Sequence, residues 1–367
     1  MNNLTITLIL SFLMPLFMVL SLSGSIIRIG KQKGLVADVG KRSSHEDPTP
    51  CVGGIPIMIA VLFSSLVVTP MDMWGQLQYI LAAMLIAFLV GLRDDIKELS
   101  PTFKMTGQLI AIAILVTKGG VRLDSFYGMF YQNWEFPAVV SIVLSGFTLL
   151  VISNAFNLID GINGLAGSIG TIVSCTFGVW FFMVGYYYLG ILAMATAGAL
   201  LGFLRFNMKP AKTFMGDSGA LVVGLLMGVL AIKFIDIAAT EAFPAKYRFA
   251  NPVVVCLGIL AVPLFDTIRV FITRLLRGRS PLKPDRRHIH HLLIDGGFEH
   301  LEATAILAIT NCIIIALVYG LDPYLDVHAL LAVVLILALS GTYVLHRNAL
   351  RTKARRNQGL DLTSHPN

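Results

Sequence analysis

Apolar residues along this chain fall in blocks near 20 residues long, separated by short polar stretches. A helix rises 1.5 Å per residue, so about 20 apolar residues are needed to cross about 30 Å of hydrocarbon. The pattern predicts about eleven spans: 4–27, 53–69, 77–92, 105–118, 137–156, 165–184, 187–204, 218–235, 251–272, 303–319 and 327–346. The first run is too long for a removable signal peptide. It also lacks a basic start and a small-residue cleavage site, so it is expected to persist as a helix.

With eleven spans, alternate loops face the same side, and an excess of Lys and Arg marks the cytoplasm. Of the 28 Lys and Arg residues, only Lys118, Arg122, Lys233, Lys246 and Arg248 fall outside one alternate set. An error of one span would break this asymmetry. The expected fold is therefore an all-α polytopic membrane protein with its N-terminus outside, on the periplasmic side, and its C-terminus in the cytoplasm. Residues 1–346 form one transmembrane domain, and 347–367 a flexible basic tail near anionic headgroups.

Composition agrees with this pattern. The 367 residues would suggest two soluble domains by length alone. Yet 56% are hydrophobic and only 13% charged, against about 25% charged in a typical soluble domain. A mean hydropathy of +0.78 points the same way. The net charge of +7 is what a basic cytoplasmic face produces, and no nucleic-acid partner is expected. The four cysteines, Cys51, Cys175, Cys256 and Cys312, have no metal-ligand spacing and read as packing residues.

Four polar clusters interrupt the pattern, all in the cytoplasmic set of loops. The first holds Asp94 and Asp95 after the third span, with Lys104 opening the next helix. Adjacent carboxylates repel unless a cation, a proton or a basic neighbour compensates. A solvated turn accounts for this cluster equally well. The second runs from Asn154 through Asn157, Asp160, Gly161 and Asn163 to Gly164. Asn154 and Asn157 share a helix face, Asp160 extends it by a turn, and the glycines permit close approach of a ligand. A helix cap explains one Asn and one Gly, but not three amides and a carboxylate at the end of a costly apolar span.

The third cluster, Thr213 to Ala220, opens the eighth span. Its Asp217 could cap that helix or ligate Mg²⁺, a hard cation that takes carboxylates and substrate phosphates. The fourth spans Arg274 to His291, with His288, His290 and His291 beside a dense run of Arg. Arginine would repel a metal but suits an anionic phosphate, so this loop reads as an oxyanion binder.

Taken together and in this order, Asp94-Asp95, Asn154 through Gly164, Phe214 through Asp217 and Pro284-Asp285-Arg286-Arg287-His288-Ile289-His290-His291 resemble the polyprenyl-phosphate N-acetylhexosamine-1-phosphate transferase family (glycosyltransferase family 4). The likeness covers nearly the whole chain. It is nearest the bacterial undecaprenyl-phosphate α-N-acetylglucosaminyl 1-phosphate transferase branch, whose members start O-antigen, common-antigen or teichoic-acid linkage units. One departure is that the family's common Asp-Gly-x-Asp-Gly is here Asp160-Gly161-Ile162-Asn163-Gly164, with an amide where a carboxylate is usual.

What the resemblance implies is transfer of GlcNAc 1-phosphate from UDP-GlcNAc to undecaprenyl phosphate, releasing UMP, in a bacterial inner membrane. It implies Mg²⁺, with Mn²⁺ as a substitute, held by Asp217 and Asn157. The catalytic candidates are Asp94, Asp95 and Asp160; Asp94 and Asp95 lie nearest the acceptor, where one of them orients or deprotonates the lipid phosphate that Lys104 holds, and Phe214 stacks on uracil. Arg274, His288, His290 and His291 contact the diphosphate, while Asn154, Asp160 and Asn163 line the same cleft. Relatives suggest a homodimer. Two alternatives are the same chemistry with another UDP-N-acetylhexosamine, and a secondary transporter. The transporter predicts polar residues near span centres rather than gathered at one face.

Overall fold

The computed structural model describes residues 2–35, 49–132, 134–240, 243–276, 278 and 288–357. Among these residues the chain is helical, and each predicted apolar run except the ninth coincides with one helix. In chain order they are α1 (Asn2–Gln32), α2 (Gly54–Val68), α3 (Leu77–Ile96), α4 (Pro101–Thr117), α5 (Ala138–Ile159), α6 (Leu165–Met183), α7 (Tyr187–Asn207), α8 (Gly216–Ala238), α9 (Pro252–Ile259), α10 (Ala261–Leu275), α11 (Ile289–Asp295), α12 (His300–Leu321) and α13 (Val327–Asn357). Helix is the expected answer in hydrocarbon, where every backbone N–H and C=O must be satisfied within the segment. Seven of these helices are long and apolar enough to cross a membrane, or eight if the bent pair α9 and α10 counts as one span. The apolar helices α2 and α4 are shorter, at 15 and 17 residues.

The predicted ninth span differs from expectation. It is broken between Ile259 and Ala261, and α9 and α10 meet at 86°. The freed backbone groups find a partner in Asn311 of α12, which is fully buried. Its Oδ1 accepts from Val262 N at 3.2 Å, and its Nδ2 donates to Ile259 O at 3.1 Å. The C-terminal helix also differs, running on to Asn357 rather than ending at 346. No Pro or Gly stands between His346 and Asn357 to stop it, and Lys and Arg are good helix formers. Of the fourth cluster, Arg277 and residues 279–287 lie outside the described residues.

Helix α8 is the axis of the bundle. Its apolar window is 94% buried, against 17% for α1 and 11% for α13. Lipid tails are as apolar as Leu, so helices associate in a membrane through close packing of small residues rather than through a hydrophobic drive. Glycines serve that purpose here. A Cβ on Gly224 would lie 2.6 Å from Ser153 O, and one on Gly228 2.9 Å from the Leu149 side chain, both on α5. A Cβ on Gly91 of α3 would lie 2.4 Å from Asp217 O at the first turn of α8. Backbones in contact at these points set the depth of the first turn of α8 between α3 and α5.

Candidate active site

Chain direction alternates through the bundle. The C-terminal ends of α3, α5 and α10 therefore meet the N-terminal ends of α4, α6, α8, α11 and α12 at one end of the molecule. Three of the four sequence clusters converge there through direct contacts. Lys104, from the first turn of α4, forms a close ion pair with Asp217 of α8 and a 3.2 Å pair with Asp94 of α3. Asn157 of α5 donates its Nδ2 to Asp217 Oδ1 at 2.6 Å. Residues 113 and 60 positions away in the chain thus meet at a single carboxylate.

The cap of α8 is made by Asp95, not by Asp217. Asp95 Oδ1 accepts from Asp217 N at 2.7 Å, and Oδ2 from Ser218 N at 3.0 Å. These are the orphan N–H groups of the first helical turn, satisfied by a carboxylate from a different helix. Gly216 allows it: its φ is +70°, and a Cβ there would lie 2.6 Å from Asp95 Oδ2. The Asp217 side chain is thereby freed from helix capping. Asp94 is held by Leu99 N, which donates to its Oδ1 at 2.6 Å.

The loop before α8 is fastened from below by a segment that polar-cluster reading passes over. Gly53 N and Gly54 N donate to Phe214 O and Met215 O, each at 2.9 Å, and Phe214 N donates to Pro50 O at 3.0 Å. Thr213 Oγ1 donates to Pro50 O at 2.8 Å. Cys51, in this segment, lies in the field of the cleft. Burial first, then Asp95, Asp160 and Asp217, push its thiol up to about 12, so it stays protonated and unreactive at neutral pH.

Asp160 caps the end of α5, and burial, with the charges of Asp217 and Asp95, pushes its carboxyl well above the usual carboxylate range. It has no hydrogen-bond partner among the described residues. Asn163 is buried; its carbonyl accepts from Thr304 Oγ1 of α12 at 2.8 Å. Gly164, at φ +80°, donates its N–H to Asn207 Oδ1 at 2.7 Å. Asn154 sits a turn below Asn157 and faces a neighbouring helix, donating to Gln108 Oε1 of α4 at 3.2 Å and to Leu150 O at 2.8 Å.

The histidines join from α11. His288 and His290 are 4% and 2% exposed, and their rings lie parallel within 7° at 5.6 Å. His291 tilts against His290 at 4.3 Å. The His290 ring lies over Gly161, where a Cβ would come within 2.3 Å of Nε2, so the second and fourth clusters touch. Burial, followed by the neighbouring histidines, pushes His290 down to about 3, and it is neutral at pH 7. Arg274 is buried in the last turn of α10. Phe214 is half-buried in the loop before α8.

Sequence reading by clusters misses the isolated polar residues within apolar runs. Asp266 of α10 is 1% exposed and reaches His288 Nδ1 at 2.9 Å. Asn311 secures the helix break described above, and Asn207 ties α6 to the loop before α8 through Gly164 N and Thr213 O. The usable signal is that polar side chains at membrane depth are costly and rarely idle.

Among the described residues, no three His, Cys, Asp or Glu side chains gather closely enough to cage a metal by themselves. A magnesium ion does not need such a cage, since it commonly takes one or two carboxylates together with substrate phosphates and waters. The all-oxygen donors of Asp217, Asn157 and the unpartnered Asp160 suit that cation. The lysine against Asp217 shows that positive charge is accommodated there.

A family model described as glycosyl transferase family 4 matches residues 77–235, the stretch carrying the first three clusters. The chain is 32% identical over 295 residues to a decaprenyl-phosphate N-acetylglucosaminephosphotransferase of Mycolicibacterium smegmatis, covering 75% of this chain and 72% of that one. It is 29% identical over 302 residues to a probable undecaprenyl-phosphate N-acetylglucosaminyl 1-phosphate transferase of Bacillus subtilis, covering 82% and 81%. With an undecaprenyl-phosphate alpha-N-acetylglucosaminyl 1-phosphate transferase of Escherichia coli O157:H7 it shares 28% identity over 292 residues, covering 78% and 76%. The chain belongs to glycosyl transferase family 4, among the polyprenyl-phosphate N-acetylhexosamine-1-phosphate transferases that its motifs resemble.

Proposed function

We propose that the protein transfers GlcNAc 1-phosphate from UDP-GlcNAc to undecaprenyl phosphate at the cytoplasmic face of a bacterial inner membrane, as the first membrane step of an envelope polysaccharide. The names of its relatives support the donor and acceptor. The observation that carries the chemistry is the cradle around Asp217, where Asp95, Lys104 and Asn157 arrive from three helices. The spans number eleven in this reading, with α9 and α10 sharing one. The Lys and Arg asymmetry then puts the site end, including Lys104, Arg205, Arg274 and Arg347, inside. A lipid acceptor explains the position: its tail stays in hydrocarbon while its headgroup meets a soluble nucleotide sugar.

In the reaction, an oxygen of the lipid phosphate attacks the sugar-bearing β-phosphorus of UDP-GlcNAc. The bond from that phosphorus to the bridging oxygen breaks, and UMP departs with the oxygen and the electron pair. Phosphoryl transfer asks the protein mainly for positioning and charge neutralisation. A phosphate monoester has a second pKa of about 6, so the nucleophile is largely ionised at pH 7 and needs little help from a base. Asp94 accordingly orients Lys104, and Lys104 meets the acceptor phosphate. Asp95 acts by holding Asp217 in place. Phe214 is set beside the uracil, and Arg274, His288 and His291 meet the diphosphate. Asp217 and Asn157 are the residues that would hold Mg²⁺, which when bound neutralises charge on that diphosphate.

Direct in-line attack is favoured over a phosphoglycosylated Asp intermediate, because Asp95 is committed to backbone N–H groups and Asp94 to Lys104 and Leu99. Incubating purified protein with labelled UDP-GlcNAc, Mg²⁺ and undecaprenyl phosphate should yield label extractable into organic solvent. Absence of lipid-soluble label would overturn the assignment. UMP exchange into UDP-GlcNAc in lipid-free enzyme would overturn the direct route.

A further inference from the structure

Asp266 has no place in any of the four clusters, yet it is among the most enclosed carboxylates of the site end, at 1% exposure. It lies in the second turn of α10, past the α9–α10 break, and meets the first residues of α11. Each of its oxygens has a distinct duty. Oδ1 accepts from the Ile289 backbone N–H at 2.8 Å and from Arg269 Nη2 at 3.0 Å. Oδ2 faces His288 Nδ1 at 2.9 Å. The residue therefore caps the first turn of α11 and engages the ring of the residue that opens it.

A carboxylate can only accept, so Nδ1 of His288 must carry a proton, and a diphosphate oxygen also only accepts, so the ring that meets it carries a proton on Nε2 as well. The ring is also fixed in rotation, being 4% exposed and stacked on His290. We infer that Asp266 is a positioning residue for the transfer reaction, orienting His288 so that Nε2 is presented to the diphosphate of the nucleotide sugar. This rests on the proposed function for the identity of the diphosphate. The helix break, secured by Asn311, is then the feature that delivers the orienting carboxylate to the histidine.

The substitution that isolates this role is Asp266→Asn. Arg269 and the Ile289 N–H both donate to Oδ1, so the amide oxygen stays there and the NH₂ group takes the Oδ2 position. That NH₂ donates to Nδ1, so the ring can no longer carry a proton on both nitrogens and loses its positive charge toward the diphosphate, with little change of shape. In detergent-solubilised full-length protein, kcat/KM for UDP-GlcNAc should fall at least about tenfold, while KM for undecaprenyl phosphate stays within twofold. Asp266→Glu should restore part of the loss. In a His288→Asn background, Asp266→Asn should cost less than twofold more, because a residue acting only through His288 has nothing left to orient.

A purely structural Asp266 would instead give additive losses in the double variant, and that result overturns the inference. So does a folded Asp266→Asn protein within twofold of wild type. If Asp266→Asn does not fold, His288→Asn and His288→Gln decide the matter. The shorter amide reproduces Nδ1 and keeps the Asp266 link, so a folded His288→Asn protein with near-normal turnover overturns the inference. Loss in His288→Asn with partial activity in His288→Gln, which reproduces Nε2, supports it. No lipid-soluble label from wild-type protein would overturn the proposed function and this inference together. Label from wild type with an unaffected Asp266→Asn overturns this inference alone.

Discussion

The two ends of the bundle use buried carboxylates in the same way for different ends. At the site end, Asp95 accepts from two consecutive backbone N–H groups of another helix. At the opposite end, Asp322, only 2% exposed, does the same for Ala250 N and Asn251 N, both at 2.8 Å. Asp322 closes a loop, with the Asn251 side chain adding a bond to Leu325 O. Asp95 instead fixes the helix start that carries Asp217, whose own side chain points to Lys104 and Asn157. The lesson is that burial and backbone capping do not distinguish a functional carboxylate. What distinguishes it is the group it holds in place.

The opposite end also has a cavity, of about 560 Å³, lined by Asp124, Tyr127, Asp236 and Arg248 among others. Two of its acids are matched locally: Ser141 donates to Asp124 Oδ1 at 2.6 Å, and Tyr127 donates to Asp236 Oδ1 at 3.3 Å. At the site end, Asp160 retains an unpartnered carboxyl, and a cationic Lys104 is shared between two acids.

The sharpest break of this comparison is Asp217→Asn. Transfer should fall by at least about a thousandfold, as for loss of a principal charge at a phosphoryl-transfer site, while the thermal unfolding of the detergent-solubilised protein stays near wild type. Near-normal turnover in a folded variant would remove Asp217 from the mechanism. Next in size, Asp95→Asn should lower turnover about a hundredfold through misplacement of Asp217 and cost about 1–2 kcal/mol for the lost cap. Asp322→Asn should cost a similar stability in chemical denaturation and leave turnover per folded molecule unchanged. Equal turnover losses from the two variants would erase the distinction between the ends.

Gly91→Ala is a subtler probe, since the added methyl would press on Asp217 O. The expected effect is a turnover loss of about tenfold, with a stability loss of about 1–3 kcal/mol because the atoms met are backbone. Smallest are the pH effects. Asp160 has a raised folded pKa, so the stability it allows is full at low pH and is lost as pH rises through that value. Asp160→Asn should therefore raise the thermal midpoint of metal-free protein at pH 7.5 and change it little at pH 4. His290 works in the other direction. Its folded value of about 3 lies below the ordinary 6.5, so stability is full above 6.5 and is lost as pH falls toward 3. His290→Gln should flatten that acid limb, and an unchanged limb would show that another group controls it.

Much of this molecule was legible in the chain. Apolar runs of helix-spanning length located the helices because lipid admits little else, and the residues of the four clusters were visible because polar groups concentrate where apolar patterning stops. The pairing of Lys104 with Asp217 was not legible, since nothing local links positions 113 apart. Nor was the exchange of roles between Asp95 and Asp217. Locally, Asp217 is the natural cap of α8, and only the seating of α3 through Gly91 brings a better one. The break at Leu260 has a signal in the chain that the apolar run conceals: Pro263 has no N–H to donate to Ile259 O four residues earlier, and the group that satisfies that carbonyl, Asn311, lies in another helix.

A helical membrane protein with four polar clusters was readable from the chain alone, because hydrophobic length and local side-chain chemistry are properties of contiguous residues. Only the tertiary structure decided which carboxylate caps, which stands free and which histidine is oriented. Those outcomes depend on backbones meeting at glycines and on hydrogen bonds between distant helices, which a linear pattern does not encode.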